Sequence, residues 1–395
     1  MTFAERDAII VGAGPAGAIC AAYMAKAGAD VLLLEKDSFP RHKACGDIQR
    51  EGIVTHLERL GAVRALDSAS TCIRRIQLIS GGGFQTVMPF ECYCVSRYEL
   101  DRLLAETAKR HGAELRENCM VTDVIMNMGQ ACGVKIRYRG EDAEIRGKLI
   151  IGADGSCSSV AGALGIRKEE SYSIWMGERA YFRGVKLDRS LARDRYDAYG
   201  VFSFDESAAP GFFWILPVGE NGVSSGICNA GVILQGRDQY RGTDLQERFF
   251  RWINGSEIIS DMFSKAERIS RWAGGRMNDI GQSAKKAGNG FLMIGDAASL
   301  VMPFSFDGLS QAADSAYAAA AAAMAAISEN DFSEENLTSK YERALGSKSR
   351  TETDDEIREM RLFMESVHDP KIMDRVIENM EKDPVYRKKH ITNIK

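Results

Sequence analysis

The stretch Asp7 to Glu35, DAIIVGAGPAGAICAAYMAKAGADVLLLE, leaves this chain little choice of fold. Ala8 to Val11 reads as a short apolar strand, and Gly12, Gly14 and Gly17 make a G-x-G-x-x-G turn. An alanine-rich helix follows to Lys26, and Val31 to Leu34 reads as a second strand. Each glycine has its own duty in a dinucleotide-binding unit. Gly12 permits the tight turn, Gly14 lets a pyrophosphate reach the backbone, and Gly17 allows the helix to lie close on the sheet. The helix opening at Pro15 and Ala16 offers free N–H groups and the positive end of its dipole to phosphate. Glu35, with Lys36 after it, stands where an acid accepts hydrogen bonds from an adenosine ribose. A lone glycine turn is as often structural. Strand, turn, helix, strand and acid together at this spacing are specific.

With 395 residues, 45% of them apolar, the chain is long enough for two core-bearing units. A net charge of −4 and the lack of a basic block argue against nucleic acid as a partner. Nine cysteines, an odd number lying mostly in apolar segments, read as the reduced thiols of a cytoplasmic protein rather than a disulfide framework. No secretory signal is read, because the nucleotide strand begins almost at once. The run Ala312 to Ile327 is mostly alanine and contains Asp314. It is too short and too weakly apolar to span a bilayer, so no transmembrane segment is expected and a buried helix is. No cluster has metal-ligand spacing, so no metal is expected.

A second set of motifs selects the nucleotide. Leu149 to Gly155 reads LIIGADG, and Gly290 to Ala298 reads GFLMIGDAA, followed by Pro303, Gly308 and the alanine-rich helix. A nicotinamide enzyme needs only the first fingerprint. A chain that returns to the same sheet near residue 295 points to an extended FAD. Asp296, after Gly295, would hold the ribityl chain, and the helix N-terminus after Gly308 would favour negative charge on the flavin ring. Ordinary turn or N-cap duty is the plainer alternative for Asp154 and Asp296.

In this order of motifs the chain resembles the flavoprotein class typified by p-hydroxybenzoate hydroxylase and, within it, the geranylgeranyl reductases. Phe39-Pro40-Arg41-His42-Lys43-Ala44-Cys45-Gly46-Asp47 is similar to that family's Lys-x-Cys-Gly segment beside the flavin. Gly211-Phe212-Phe213-Trp214-Ile215-Leu216-Pro217 is similar to its Tyr-x-Trp-x-Phe-Pro, with Gly226 at the spacing of the glycine that follows. Departures are Phe212 for Tyr, Leu216 for Phe, Cys228 for a second glycine, Ser305-Phe306-Asp307-Gly308 for a Thr-Gly-Glu-Gly-like turn, and Ala161 for an arginine.

The resemblance implies an α/β protein. A Rossmann-type FAD-binding domain would come from residues 1–70, 97–165 and 285–330. An inserted substrate domain with an antiparallel sheet would come from 71–96 and 166–284, and 331–395 would form a C-terminal helical region. FAD would meet the glycine turn, Glu35, Lys36, Lys43, Ala44, Cys45, Gly46, Arg97 and Val121. Farther along the chain it would meet Asp154, Gly155, Gly295, Asp296, Pro303, Asp307, Gly308 and Leu309. Phe212, Trp214, Leu216 and Phe306 would face the substrate.

Periodicity fills in the rest. Gly52 to Leu60 reads as a helix, and Arg75 to Ser80 with Thr86 to Phe90 as a hairpin around Gly81-Gly82-Gly83. Tyr93 to Ser96 leads into an amphipathic helix from Arg97. Glu114 to Arg139 alternates as strands, and Tyr172 to Ser283 reads as short β-runs. The tail after Phe332 reads as charged helix broken at Asp369-Pro370, its Met360, Met364, Met373 and Met380 serving packing.

Three residues carry the chemical argument. Arg97, at a helix N-terminus where its charge is unhelpful, suits the oxygens of a cofactor. Cys45 would relay a proton to the substrate carbon, with Lys43 or His42 placed to lower its pKa, and Gly46 lets the backbone approach the flavin. The bland reading of Cys45 is a small buried hydrophobe. Phe212, Trp214 and Leu216 share one face of a strand, either as sheet core or as an apolar substrate wall.

The function expected is FAD-dependent reduction of carbon–carbon double bonds in an isoprenoid or similarly apolar, lipid-like substrate, by hydride from flavin N5. NAD(P)H or ferredoxin would donate the electrons, with peripheral membrane contact. Two alternatives stand beside it. One is a flavin-dependent monooxygenase or halogenase, because Phe212-x-Trp214-x-Leu216-Pro217 also approximates the halogenase Trp-x-Trp-x-Ile-Pro. The other is an electron relay to a quinone or protein partner.

Overall fold

The computed structural model describes residues 5–166, 174–187, 198–219, 226–235, 242–278, 285–300, 308–346, 369–384 and 386. Pro303, Phe306 and Asp307, and with them the turn that departs from the family pattern, lie outside the described residues.

The strand Arg6–Val11 lies parallel between Val31–Leu34 and the end of Glu141–Gly152, and Phe291–Met293 adds a further parallel strand. Its continuous apolar run is what a strand covered on both faces requires. Alternation divides it cleanly. Ala8 and Ile10 face the helices Pro15–Lys26, Arg97–Arg110 and Gly308–Glu329. Ile9 and Val11 face the meander Cys119–Asn127, Gln130–Tyr138 and Glu141–Gly152. Most of the alanines predicted to be buried are so, Ala321 being exposed, and their small side chains let the Gly308–Glu329 helix lie against the Pro15–Lys26 helix.

A second sheet draws on Ile48–Gln49, Thr71–Ser80, Gln85–Cys94, Ile174–Arg183, Ala198–Phe204, Gly211–Pro217, Ile227–Gln235, Glu267–Arg268 and Ala273–Asn278. It is antiparallel except where Ala198–Phe204 runs parallel to Thr71–Ser80. The hairpin predicted around Gly81-Gly82-Gly83 is present with longer arms. One face carries Phe213, Ile215, Val201 and Val232 against Phe249 and Trp252 of the helix Gly242–Gly255, and Phe213 stacks on Trp252 at 4.5 Å. This helix and its neighbour Glu257–Phe263 fall where the sequence reads as β-runs; their aromatic residues favour strands locally, and packing on the sheet overrides that preference.

The opposite face carries Trp214, Leu216, Ile76 and Leu78 together with Met373, Ile377 and Met380 of the helix Pro370–Lys382. Asp369-Pro370 starts that helix. Asp369 accepts the Lys371 N–H as N-cap, and Pro370 takes the first position, where its missing N–H costs nothing. The tail divides between the two sheets, because Glu334–Gly346 packs on the first, with Tyr341 donating to the Met293 carbonyl at 3.1 Å.

Gly17 sets the closeness of the first unit. A Cβ there would lie 1.9 Å from the Gly12 carbonyl oxygen. Gly17→Ala is therefore expected to push the Pro15 helix off its strand, at a cost of about 1–3 kcal/mol or more. Chemical denaturation of purified variant and native protein checks this; equal stability refutes the packing argument.

Candidate flavin site

The glycine turn is shaped by what surrounds it. Gly12 has φ 96°, and a Cβ on it would meet the Ala153 carbonyl at 2.6 Å, so only glycine fits there. Gly14 has ordinary dihedrals, and among the described residues beyond its own chain neighbours and helix backbone its missing Cβ would meet just an Arg41 nitrogen at 4.0 Å. The space beside Gly14 is open where a pyrophosphate would lie. Glu35 closes the second strand, nearly buried, accepting from the Ala13 N–H at 3.1 Å and from Arg41 at 3.2 Å. Arg41 also donates to Asp101 at 2.8 Å, and Arg97 grips the same Asp101 at 2.6 and 2.9 Å. Arg41 is a site residue that the sequence reading quoted within a motif and assigned no role. Its signal was a guanidinium placed between a ribose-facing acid and a glycine turn.

Around Cys45 the structure gathers residues distant in sequence. Cys45 lies close enough to Arg97 and Asp47 for both charges to act on its thiol. Burial pushes the thiol pKa up, against the pull of Arg97. Burial also opposes the charge of Arg97, yet Asp101 and Cys45 outweigh it and hold the guanidinium firmly protonated. The cation beside the thiol is thus Arg97. His42 instead meets Tyr98 at 5.1 Å with the rings tilted by 36°, and the Lys43 charge acts on Asp296. The expectation that Lys43 or His42 tunes Cys45 is corrected on that ground.

Asn229 joins this segment to the second sheet. Its amide donates to the Cys45 carbonyl at 2.8 Å and to Asp47 at 2.7 Å, and accepts from the Trp214 indole N–H at 2.9 Å. Trp214 lies flat over Gly231, where a Cβ would come within 2.5 Å of the indole. Phe212 is half-buried and meets Phe202 at 5.3 Å, which meets Phe90 at 6.1 Å, so an aromatic row crosses the sheet. Leu216, 1% exposed, backs that wall from within the core.

The remaining predicted residues fall as follows. Asp154 spends its carboxylate on Ser158, Ser159 and Val160 at the N-terminus of the short helix Ser159–Ala163, so the capping alternative describes its side chain. Gly155 follows at φ 81°. Val121 is buried on the strand whose Cys119 N–H donates to the Glu35 carbonyl at 2.9 Å, and Lys36 is exposed. Gly308 and Leu309 open the long helix, and Gly295 packs against Ala16. Asp296 is hemmed in by protein yet accepts no hydrogen bond from any described residue. Burial raises its pKa, with Arg97 and Lys43 pulling it back.

Residues 5–348 match the family model described as an FAD-binding domain. The chain belongs to the FAD-binding domain family. It is 30% identical to the digeranylgeranylglycerophospholipid reductase of Methanosarcina acetivorans, over 85% of this chain and 79% of the relative. It is 27% identical to a 1H-pyrrole-2-carbonyl-[peptidyl-carrier protein] brominase of Pseudoalteromonas luteoviolacea, over 84% and 80%. Its fold is similar to that of a geranylgeranyl bacteriochlorophyll reductase-like protein of Thermoplasma acidophilum, with a TM-score of 0.83 and 22% identity over 99% and 95% of the two chains. This flavoprotein is a geranylgeranyl reductase-like, FAD-dependent oxidoreductase.

Its residues fit FAD. The open cradle at Gly14 and a part-buried carboxylate at Asp296 with no hydrogen-bond partner among the described residues are what an extended dinucleotide would complete, since a polar group shielded from water and left unpaired is costly. Asp296→Ala is expected to weaken FAD by about 10- to 150-fold, the loss of a charge-assisted hydrogen bond of about 1.5–3 kcal/mol. The flavin-free protein should be no less stable, because no described residue pairs with that carboxylate. A flavin titration with less than a twofold change removes Asp296 from the site. Gly14→Val should fold as native and fail to retain FAD, and a yellow, fully loaded variant refutes the cradle.

Proposed function

We propose that this flavoprotein saturates carbon–carbon double bonds of an isoprenoid, lipid-like substrate. The observation carrying the proposal is the single amide of Asn229 that links the Trp214 wall to the Cys45 segment, bringing an apolar surface and a protonated thiol to one place. The name and identity of the archaeal reductase support the substrate class.

Bound FAD, once reduced, supplies the hydride from N5. The chain supplies the rest. Phe212 and Trp214 lay an apolar, aromatic surface along which a prenyl chain lies and from which water is excluded. Cys45 supplies the proton: its S–H bond breaks as a C–H bond forms at the second carbon. The thiolate left behind is stabilised by the charge of the nearby Arg97 guanidinium. Solvent returns a proton to complete the cycle. Hydride and proton together add two hydrogens to the double bond. NAD(P)H or ferredoxin is the proposed electron donor. No helix among the described residues is long and apolar enough to cross a membrane, so contact with a lipid bilayer would be peripheral. An oxidative reading, halogenation or oxygenation, is supported by the brominase relative and by the likeness of Phe212-x-Trp214-x-Leu216-Pro217 to the halogenase segment.

Reduced enzyme mixed without oxygen with a prenyl alkene tests this directly. Flavin reoxidation with a saturated product is expected. Reoxidation only on admitting air, with an oxygenated or halogenated product, refutes it. Within that assay Cys45→Ser should keep its flavin and slow turnover by about 10²–10⁴-fold, the usual weight of a general acid. Cys45→Ser and Cys45→Ala both turning over within a few-fold of native would sink the proton-donor role.

A further inference from the structure

Asp47, two residues past Cys45, has no solvent exposure and sits at φ 67°, a region that residues other than glycine hold only when their surroundings over-determine it. Its carboxylate accepts from three elements: the Arg97 N–H at 3.3 Å, the Tyr181 hydroxyl at 2.6 Å and the Asn229 amide at 2.7 Å. Its carbonyl accepts from Val95 at 3.0 Å. A residue needed only to turn the chain here would be glycine, and burying a carboxylate for that purpose is expensive. The acceptors and the charge must therefore be what the position requires. The neighbouring charged and titratable groups are Arg97 on its helix, Arg179 and Tyr181 on their strand, Cys45 itself, and Cys94 on the hairpin strand. Arg97 in turn is held by Asp101 and faces Asp296.

We propose that Asp47 is the positioning residue for Cys45, its carboxylate clamping the segment to Tyr181, to Asn229 and to the start of the Arg97 helix. The inference rests on the reading of Cys45 as proton donor and deepens it. Asn229 ties the clamp to the thiol's own residue, donating both to the Asp47 carboxylate and to the Cys45 carbonyl. Two opposite influences also meet at the sulfur: the Arg97 charge favours the thiolate and the Asp47 charge disfavours it.

Two variants of the holoenzyme separate positioning from mere turn-making. Glycine suits φ 67° better than aspartate, so a turn-only residue predicts that Asp47→Gly turns over normally. The expected result is loss of kcat by about 10²-fold with flavin still bound, the cost of a displaced reacting group. Asp47→Asn keeps the shape and removes the charge. Alkylation of Cys45 by iodoacetamide, followed by peptide mass mapping, should then move to lower pH by about one unit, or about 1.4 kcal/mol. A Cys45 labelling profile that coincides with native in Asp47→Asn overturns the proposal, whatever the turnover. Native turnover in Asp47→Gly overturns it as well. If instead the labelling profile moves while Cys45→Ser turns over normally, the proton-donor reading alone has failed, and Asp47 still positions the thiol.

Discussion

A file of alternating charges runs through the centre of the flavin site, from Glu35 to Arg41, to Asp101, to Arg97, and ends at the Cys45 sulfur. Its members are scarcely exposed: the Asp101 side chain is 0% accessible and that of Glu35 5%. Burying such groups costs several kcal/mol per ion, and pairing offsets that only when the geometry is good and every lone pair is used. Stability is therefore a poor explanation for the file. Registry is a better one. It ties Glu35 to the helix that carries Arg97 through single Arg41 contacts and one bidentate Arg97–Asp101 pair, so that the two ends of the file keep a fixed spacing.

The helices that begin beside this file are braced from behind. His56 is fully buried, with one ring nitrogen 2.9 Å from the Tyr23 hydroxyl and the other 2.9 Å from Asp314. Those three residues belong to the helices Pro15–Lys26, Glu51–Arg59 and Gly308–Glu329, which start at the glycine turn, just after the Cys45 segment, and at Gly308. Gly52 tightens the same joint, since a Cβ there would lie 2.5 Å from Ser310. A polar triad and a missing methyl group thus set how the three helix starts converge.

What the sequence discloses is what the backbone decides locally. Gly12, Gly17 and Glu35 announce the nucleotide unit because a tight turn, a close helix and a strand-end acid must follow one another within one βαβ unit. Asp296 is legible for the same reason, as a strand-end acid before a helix. The partners around Cys45 are not. Asn229 and Tyr181 reach Asp47 across 182 and 134 residues, and neither a lone Asn nor a lone Tyr on a strand carries a signal of what it will meet. Charge was misjudged for a similar reason: Lys43 and His42 are neighbours in sequence, while the cation that faces the sulfur arrives on another helix. Asp154 looked like a ligand because a strand-end Asp-Gly is common to caps and cofactor sites alike, and only the serines after it decide between them.

The state of the Cys45 thiol bears on the direction of the chemistry. Aromatic walls of this kind suit reductive and oxidative flavoenzymes equally, so the wall does not discriminate. A thiol in the place we propose for Cys45, within reach of the reacting atoms, would. An enzyme that generated oxygen-derived oxidants beside Cys45 would convert an accessible thiolate to sulfenic acid and beyond, in proportion to its thiolate fraction. Here burial and the Asp47 charge both raise the thiol pKa, which keeps that fraction low between turnovers. The same two influences keep a transferable proton on the sulfur. A residue held protonated, partly accessible and beside a guanidinium is of use to a reaction that consumes a proton, and a liability to one that makes an oxidant.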